Sequence, residues 1–321
     1  MTLASIKGLL FPRGYSILFA FVFLLGSGCG ALRRTAIRDV AGVFAGPPGS
    51  NVFVQDDDPE LIRDALPFAL KMYEALLASD PKNRGLYLNS AEAFVSYANA
   101  FVHAQAERLK DVDIQRSRYL RRRATKLYLR GRDYGMAGLM LDYPNFEEKL
   151  RDDPQRMLLA LSPKDVPLLF WAGAGWAGAI SADVSNMFLV AELPIVEAMM
   201  RRALELVEDF EDGAIHEFFI LYEGSRSDTM EGSAERAWEH FDRAVRLTQG
   251  KKASPYVSLA SSVAIQKQDY KMFKDLLHKA LAIDPDAVPE WRLANTLAQE
   301  KAQWFLDHSR ELFLDLEEAK P

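Results

Sequence analysis

Apolar residues recur every three to four positions along most of this chain, and charged or polar residues fill the positions between them. That spacing places the apolar side chains on one face of an α-helix. No stretch alternates apolar and polar residues for long enough to predict a β-strand, so the expected fold class is all-α. The predicted helices cover residues 59–79, 86–109, 114–140, 146–161, 166–182, 192–209, 213–222, 234–247, 256–266, 270–283 and 290–315.

Four of these helices carry a shared signature of small and large apolar residues at spacings of four and three, and two copies end in proline. The copies are Ala69, Tyr73, Leu76 and Pro81; Met200 and Ala203; Ala237, Phe241 and Ala244; and Phe273, Leu277, Ala280 and Pro285. Such a signature is typical of tetratricopeptide-like helical hairpins. Because the offsets between copies are uneven, whereas a regular array repeats every ~34 residues, we expect a degenerate, interrupted solenoid. An unrelated helical bundle that uses Ala and Leu at helical spacing remains the alternative.

The amino terminus has the pattern of a secretory leader. Residues 15–25 (YSILFAFVFLL) are apolar and follow the basic Lys7 and Arg13. This run is shorter than the ~20 residues needed to span a bilayer, which favours a signal peptide. Gly26-Ser27-Gly28 then precede Cys29, the only cysteine in the chain, and this arrangement resembles a bacterial lipobox.

Three segments follow from that pattern. We expect a signal peptide at residues 1–28, a lipidated amino terminus and tether at residues 29–58, and one all-helical domain at residues 59–321. Lipid on Cys29 would hold the protein at a membrane on the periplasmic side, with the outer membrane expected. An uncleaved anchor or a structural cysteine is the alternative for this segment.

Composition and charge narrow the function classes. The charged and apolar fractions, 26% and 49%, are typical of a globular protein. The formal net charge of -6 argues against a nucleic-acid partner. One segment is nonetheless densely basic, and it contains Arg116, Arg118, Arg121, Arg122, Arg123, Lys126, Arg130 and Arg132. Two interpretations stay open: a solvated helix that pairs with acids such as Glu107 and Asp111, or a face that binds an anion or a partner.

Residues 173–178 (GAGWAG) have the spacing of a dinucleotide-binding fingerprint. That fingerprint requires a preceding strand, and none is predicted, so close helix packing is the first interpretation. The second is a cavity wall formed with Phe170, Trp171 and Trp176. The five histidines show no metal-binding spacing, and no nucleophile is paired with a base. We therefore expect no metal, no cofactor and no enzymatic activity.

Several passages together resemble the TRAP transporter T-component family, the TatT-like periplasmic lipoproteins. These passages are DVPLLFW at 165–171 with Trp176, MRRALEL at 200–206, GAIH at 213–216, residues 250–258, residues 273–285 and RLAN at 292–295. The resemblance extends over residues 29–314. It implies an accessory subunit of a tripartite ATP-independent periplasmic transporter that binds the substrate-binding subunit. It also implies, as a second expectation, a small hydrophobic or organic-acid ligand.

The residues expected to meet that ligand or partner are taken from these motifs. They are Phe170, Trp171, Trp176, Tyr256, Arg292 and Asn295. The alternative function is a general tetratricopeptide-type scaffold lipoprotein for cell-envelope assembly. A homo-oligomer is left open, and the identity of the ligand is not predicted.

Overall fold

The computed structural model describes residues 52–226 and 232–314, and all regular structure in those ranges is helical. The all-α prediction is therefore confirmed. The signal segment 1–28, Cys29 and most of the tether 29–58 lie outside the described residues. Within the described ranges, no helix combines the length and the apolar character needed to cross a membrane.

Thirteen helices, numbered here in chain order, make up the described residues. They are α1 (Pro59–Ser79), α2 (Arg84–Tyr97, continued by a π-helical segment, Ala98–His103, and by Ala104–Arg108), α3 (Ile114–Met140), α4 (Phe146–Asp152), α5 (Pro154–Leu159), α6 (Val166–Ala182), α7 (Met187–Val190), α8 (Leu193–Leu206), α9 (Ala214–Gly224), α10 (Ala234–Leu247), α11 (Ser254–Leu259, continued by a π-helical segment, Ala260–Ala264), α12 (Tyr270–Leu281) and α13 (Arg292–Asp307). Short 3-10 turns join several of them. The bounds of α1, α3, α6 and α10 are those predicted from the sequence.

Local capping explains where several helices begin. The Asp58 carboxylate accepts hydrogen bonds of 3.0 Å from the amides of Glu60 and Leu61, and a proline occupies the first turn of α1.

The predicted single helix 146–161 is wrong, because a capping acid followed by a proline begins a second helix inside it. Asp153 caps a new helix by accepting from the Arg156 amide at 3.1 Å, while Pro154 lacks the amide proton that would continue α4.

Two apolar cores lie along the chain, and α9 contributes to both of them. Its Ile215 and Phe219 pack in the first core, which draws on helices α1 to α9, whereas Ile220 packs in the second, with α10 to α13. The apolar residues of all four signature copies are buried. The signature thus marks helix faces that pack against neighbours, and the solenoid interpretation remains a prediction.

The glycine-rich helix α6 lies directly against the backbone of α3. A Cβ atom on Gly175 would stand 2.8 Å from the Tyr128 carbonyl oxygen and 2.9 Å from the Arg132 amide nitrogen. A Cβ atom on Gly178 would overlap the Tyr128 ring. Such distances are too short for any side chain, so the prediction of close helix packing is confirmed. The glycines lie inside a helix and follow no strand in the described residues, which is not the setting of a dinucleotide fingerprint.

The last helix returns to the start of the described chain. The Leu293 amide donates to the Val54 carbonyl at 3.0 Å, and the Arg292 guanidinium donates to the Gln55 carbonyl at 2.9 Å. An ion pair of 3.5 Å between Arg108 and Glu300 joins α13 to the end of α2. The last helix is therefore in direct contact with the beginning of the described chain.

Candidate functional site

Trp171 of α6 points its indole at a carboxylate from another part of the chain. Its Nε1 donates a hydrogen bond of 3.2 Å to Oε1 of Glu211, which lies on the 3-10 turn Phe210–Asp212. The neighbouring Phe170 is buried and packs edge-on to Trp171, with 5.2 Å between ring centroids. Phe210 lies 5.1 Å from Phe170 and anchors the turn to α6. Two of the predicted site residues thus lie together, and they meet an acid that was not predicted.

The turn that carries Glu211 has an unusual backbone. Glu211, Asp212 and Gly213 have φ angles of 44°, 56° and 95°, three consecutive residues in the left-handed region. Only glycine adopts that region without cost, and strained residues of other types tend to cluster at functional sites. The second acid also meets a tryptophan, because Nε1 of Trp291 donates to Oδ2 of Asp212 at 3.1 Å. Two adjacent carboxylates therefore accept indole protons from two distant elements.

A lysine completes this group. Lys252, in the loop before α11, forms a 2.8 Å ion pair with Glu217 of α9, and both side chains are largely buried. Burial opposes the charge on the lysine, but Glu217, Glu211 and Asp212 together raise the pKa of Lys252. We name the set formed by these residues and by one acid of α2 the tryptophan–carboxylate cluster. Its members are Glu92, Trp171, Glu211, Asp212, Glu217, Lys252 and Trp291.

Electrostatic interactions link the carboxylates of the cluster to Tyr73 of α1. The residue Glu211 as a whole is exposed to solvent, but protein atoms surround its carboxyl group. This burial, together with repulsion from Glu92, raises the pKa of the carboxyl to about 8. Burial also raises the pKa of Glu92. Burial and the charge of Glu92 raise the pKa of Tyr73 to about 12. Through the charge of Glu92, groups on α1, on α2 and on the turn that carries Glu211 therefore influence one another's pKa. We name the region between these groups the recess.

Asn295 positions the loop that carries Lys252. Its side chain is 1% exposed, accepts from the Ala253 amide at 2.8 Å and donates to the Lys251 carbonyl at 3.0 Å. The two hydrogen bonds hold the backbone on both sides of Lys252. This predicted site residue therefore acts on the cluster through the loop.

The other predicted residues are placed differently. Tyr256 packs edge-on to Phe241 at 5.2 Å, within the second core. Arg292 pairs with Asp286 at 2.7 Å and with the backbone of residue 55, which is the contact that closes the fold. The described contacts therefore do not bring these two side chains to Glu211.

Trp176 is fully buried in α6 and lies apart from the cluster's described contacts. Its Nε1 donates to Glu192 at 2.8 Å, and the guanidiniums of Arg132 and Arg151 lie 5.0 and 5.1 Å from its ring centroid. These partners satisfy the indole completely. We therefore leave Trp176 out of the proposed recess.

Sequence reasoning missed the charged half of the cluster. Residues 208–212 (EDFED) lie where the predicted helix 192–209 ends and before the one predicted from residue 213, and Lys252 follows another lysine in a polar loop. The signal that could have marked the turn is Gly213, which directly follows two acids at a point where a helix begins. In the part of the chain that the structure describes, no group of three or more His, Cys, Asp or Glu side chains is arranged to hold a metal ion.

Comparison with known proteins identifies the family. Residues 55–313, which include the whole cluster, match the TRAP transporter T-component family. A protein of Treponema pallidum (strain Nichols), described as uncharacterized, is 31% identical over 314 residues, covering 92% of this chain and 97% of that protein. The family is a transport component and not a known class of enzymes. The chain therefore belongs to the TRAP transporter T-component family.

Proposed function

We propose that this protein is a lipid-anchored periplasmic accessory subunit of a TRAP-type transporter, and that it binds the transporter's substrate-binding subunit. The family match supports the transport role. The apolar run at residues 15–25 and the small residues before Cys29 support the anchor and the periplasmic location. We further propose that its hairpins form a degenerate tetratricopeptide-like solenoid, which would present a concave surface to a partner.

The recess around Glu211 is proposed to hold a small organic acid. The observation that carries this proposal is that the adjacent carboxyl groups of Glu211 and Asp212 accept hydrogen bonds from the indoles of Trp171 and Trp291. Burial also raises the pKa of Glu211 to about 8, which favours its protonated form at neutral pH. One of its oxygens accepts from Trp171, and the other can therefore present an O–H donor at neutral pH. A carboxylic acid that stays neutral is a good partner for a ligand carboxylate. The indoles of Trp171 and Trp291 supply a flat apolar wall for the ligand's carbon chain.

Ligand binding is tested by calorimetric titration of the purified chain with hexanoate between pH 6 and pH 9. Affinity should fall as pH rises through about 8, because the donor on Glu211 is lost. In the variant Glu211→Gln, the amide keeps a donor at every pH, so this pH dependence should disappear. Glu235→Gln, at an exposed position in the first turn of α10, is the matched control. Absence of binding at about 10 mM hexanoate, where even a very weak site fills, contradicts the ligand proposal.

Partner binding is tested by sedimentation of the purified chain with its substrate-binding subunit, in the absence of membranes. A specific interface should give a complex at about 50 µM of each protein. Free sedimentation of both proteins at that concentration contradicts the accessory role. Association with an envelope-assembly protein in the same assay would favour the scaffold alternative instead.

A further inference from the structure

The basic segment in α3 divides into paired and unpaired cations. Arg121 forms an ion pair of 2.8 Å with Glu107, Arg132 forms one of 2.7 Å with Asp133, and Arg130 pairs with Glu74. These contacts match the first interpretation of the segment, a solvated helix with acidic neighbours. Of the five remaining cations, Arg116 lies over the Tyr119 ring and Arg123 lies over the Tyr97 ring. The other three, at positions 118, 122 and 126, do not fit that interpretation.

Arg118, Arg122 and Lys126 are exposed, and within residues 52–226 and 232–314 none of them has a carboxylate at ion-pair distance. They follow one another at intervals of four residues, which places them along one stripe of the helix. Ile114 begins the same stripe at the amino terminus of α3. We name these four residues, together with Tyr119, the basic face.

Apolar side chains project at the end of the basic face. Val112 is 81% exposed, Ile114 is 53% exposed and Tyr119 is 49% exposed. The Arg116 guanidinium lies 5.1 Å from the Tyr119 ring centroid, so the aromatic ring is already beside a cation. Exposed aliphatic and aromatic tips beside unpaired arginines and lysines are the composition of segments that lie at a bilayer surface.

We propose that the basic face docks on an anionic phospholipid bilayer. The chain as a whole carries a charge of -6, so attraction to anionic lipid must come from this local stripe. The inference rests on the proposed function in one respect: lipid on Cys29 would keep the protein near a bilayer. From Cys29 to Val52 there are 23 residues, and an extended chain of that length reaches ~80 Å. The tether is therefore long enough for α3 to reach the surface.

Vesicle co-sedimentation of the full chain tests the proposal. One set of vesicles is pure phosphatidylcholine and the other contains about 30% phosphatidylglycerol, which gives a negative surface potential. The native chain should bind the anionic vesicles on the order of tenfold or more tightly than the neutral ones at low salt. The triple variant Arg118→Gln, Arg122→Gln, Lys126→Gln should lose most of that ratio. Residues 1–28 are present in both proteins, so their contribution cancels.

A second triple variant keeps the outcome interpretable. Lys267→Gln, Lys271→Gln and Lys279→Gln remove the same charge from exposed positions near or on α12, and this variant should retain the native ratio. Equal ratios for the native chain and the α3 variant overturn the proposal. So does an α3 variant that keeps the lipid ratio but no longer binds the substrate-binding subunit, because the face would then serve an acidic protein. Subunit binding is measured without vesicles, so the two proposals fail separately.

Discussion

Asn295 of the last helix holds the amide of Ala253, 42 residues earlier, through a buried hydrogen bond of 2.8 Å. Its amide group also donates to the Lys251 carbonyl, so the loop around Lys252 is fixed from one side chain. The position of the Lys252 side chain thus depends on Asn295, which belongs to another helix. This arrangement leads to the first prediction.

Substituting Asn295→Ala should lower the free energy of unfolding by about 2 kcal/mol, since one buried and one partly buried hydrogen bond are lost and the Ala253 amide stays buried without a partner. Urea denaturation measures this change. Hydrogen exchange at the Ala253 amide should also become faster. Thr296→Ala is the control, because its hydroxyl bonds only to its own helix at the Arg292 carbonyl. Equal stability losses for the two variants would contradict the role of Asn295.

The raised pKa of Glu211 makes stability depend on pH. Burial, with repulsion from Glu92, raises the pKa of the Glu211 carboxyl from 4.5 to about 8 in the folded state, so the folded chain should hold a proton that the unfolded chain releases. Because this group binds more protons in the folded state in that window, the contribution of Glu211 to stability should fall as pH rises from about 4.5 to 8. Glu211→Gln should remove this contribution, which thermal unfolding at pH 5, 7 and 9 measures. Native and variant curves that run parallel across this range would exclude the raised pKa.

Much of the helical fold could be predicted because its signals are local. Asp58 with Pro59, and the apolar spacing in α3, mark helix ends and faces within a few residues of sequence. The recess could not be predicted in the same way. Glu211 and Asp212 meet Trp171 and Trp291 across 40 and 79 positions, and no periodicity encodes which distant helices converge. The left-handed backbone that aims these acids depends on tertiary contacts.

The close contact between α6 and α3 predicts a strong response to one added methyl group. Gly175→Ala would force a Cβ atom to 2.8 Å from the Tyr128 carbonyl. The Tyr128 carbonyl and the Arg132 amide, which would lie 2.9 Å away, are both helix backbone. The two helices must therefore separate, at a cost of about 3 kcal/mol in the free energy of unfolding. Gly85→Ala is the matched control, since its Cβ atom would meet only Asn83 Oδ1 at 3.4 Å, and it should stabilise by up to ~1 kcal/mol. Chemical denaturation of both variants checks the contrast.

Two histidines at the contact between α9 and α10 predict that the stability of this contact depends on acid pH. His216 and His240 share a hydrogen bond of 2.8 Å between their Nδ1 atoms. Burial, with repulsion from His216, lowers the pKa of His240 to about 4. Burial likewise lowers the pKa of His216, although Glu208 opposes that shift. These histidines take up protons at higher pH in the unfolded chain than in the folded one, so the contribution of the pair to stability should fall as pH drops from about 6.5 to 4.

The variant His240→Phe should lose less stability than the native chain as pH drops from about 6.5 to 4. The new ring keeps the stacking that His240 makes on Phe219, at 4.9 Å and 17°, but it cannot titrate. At pH 7 the variant should be about 1 kcal/mol less stable, because His216 loses its partner. Thermal unfolding between pH 4 and pH 7 measures both effects. The exposed His278→Ala serves as the comparison, and an unchanged slope in His240→Phe would contradict the prediction.

The contact between α13 and residues 54 and 55 has a mechanical consequence. If the protein is tethered through Cys29, a force on the tether enters the folded chain at residues 54 and 55, whose carbonyls accept hydrogen bonds from Leu293 and Arg292. The force is then shared between the first and the last helices. Motion of the membrane or of a docked partner would reach α13 directly, and α13 also carries Asn295, the residue that sets the loop of Lys252.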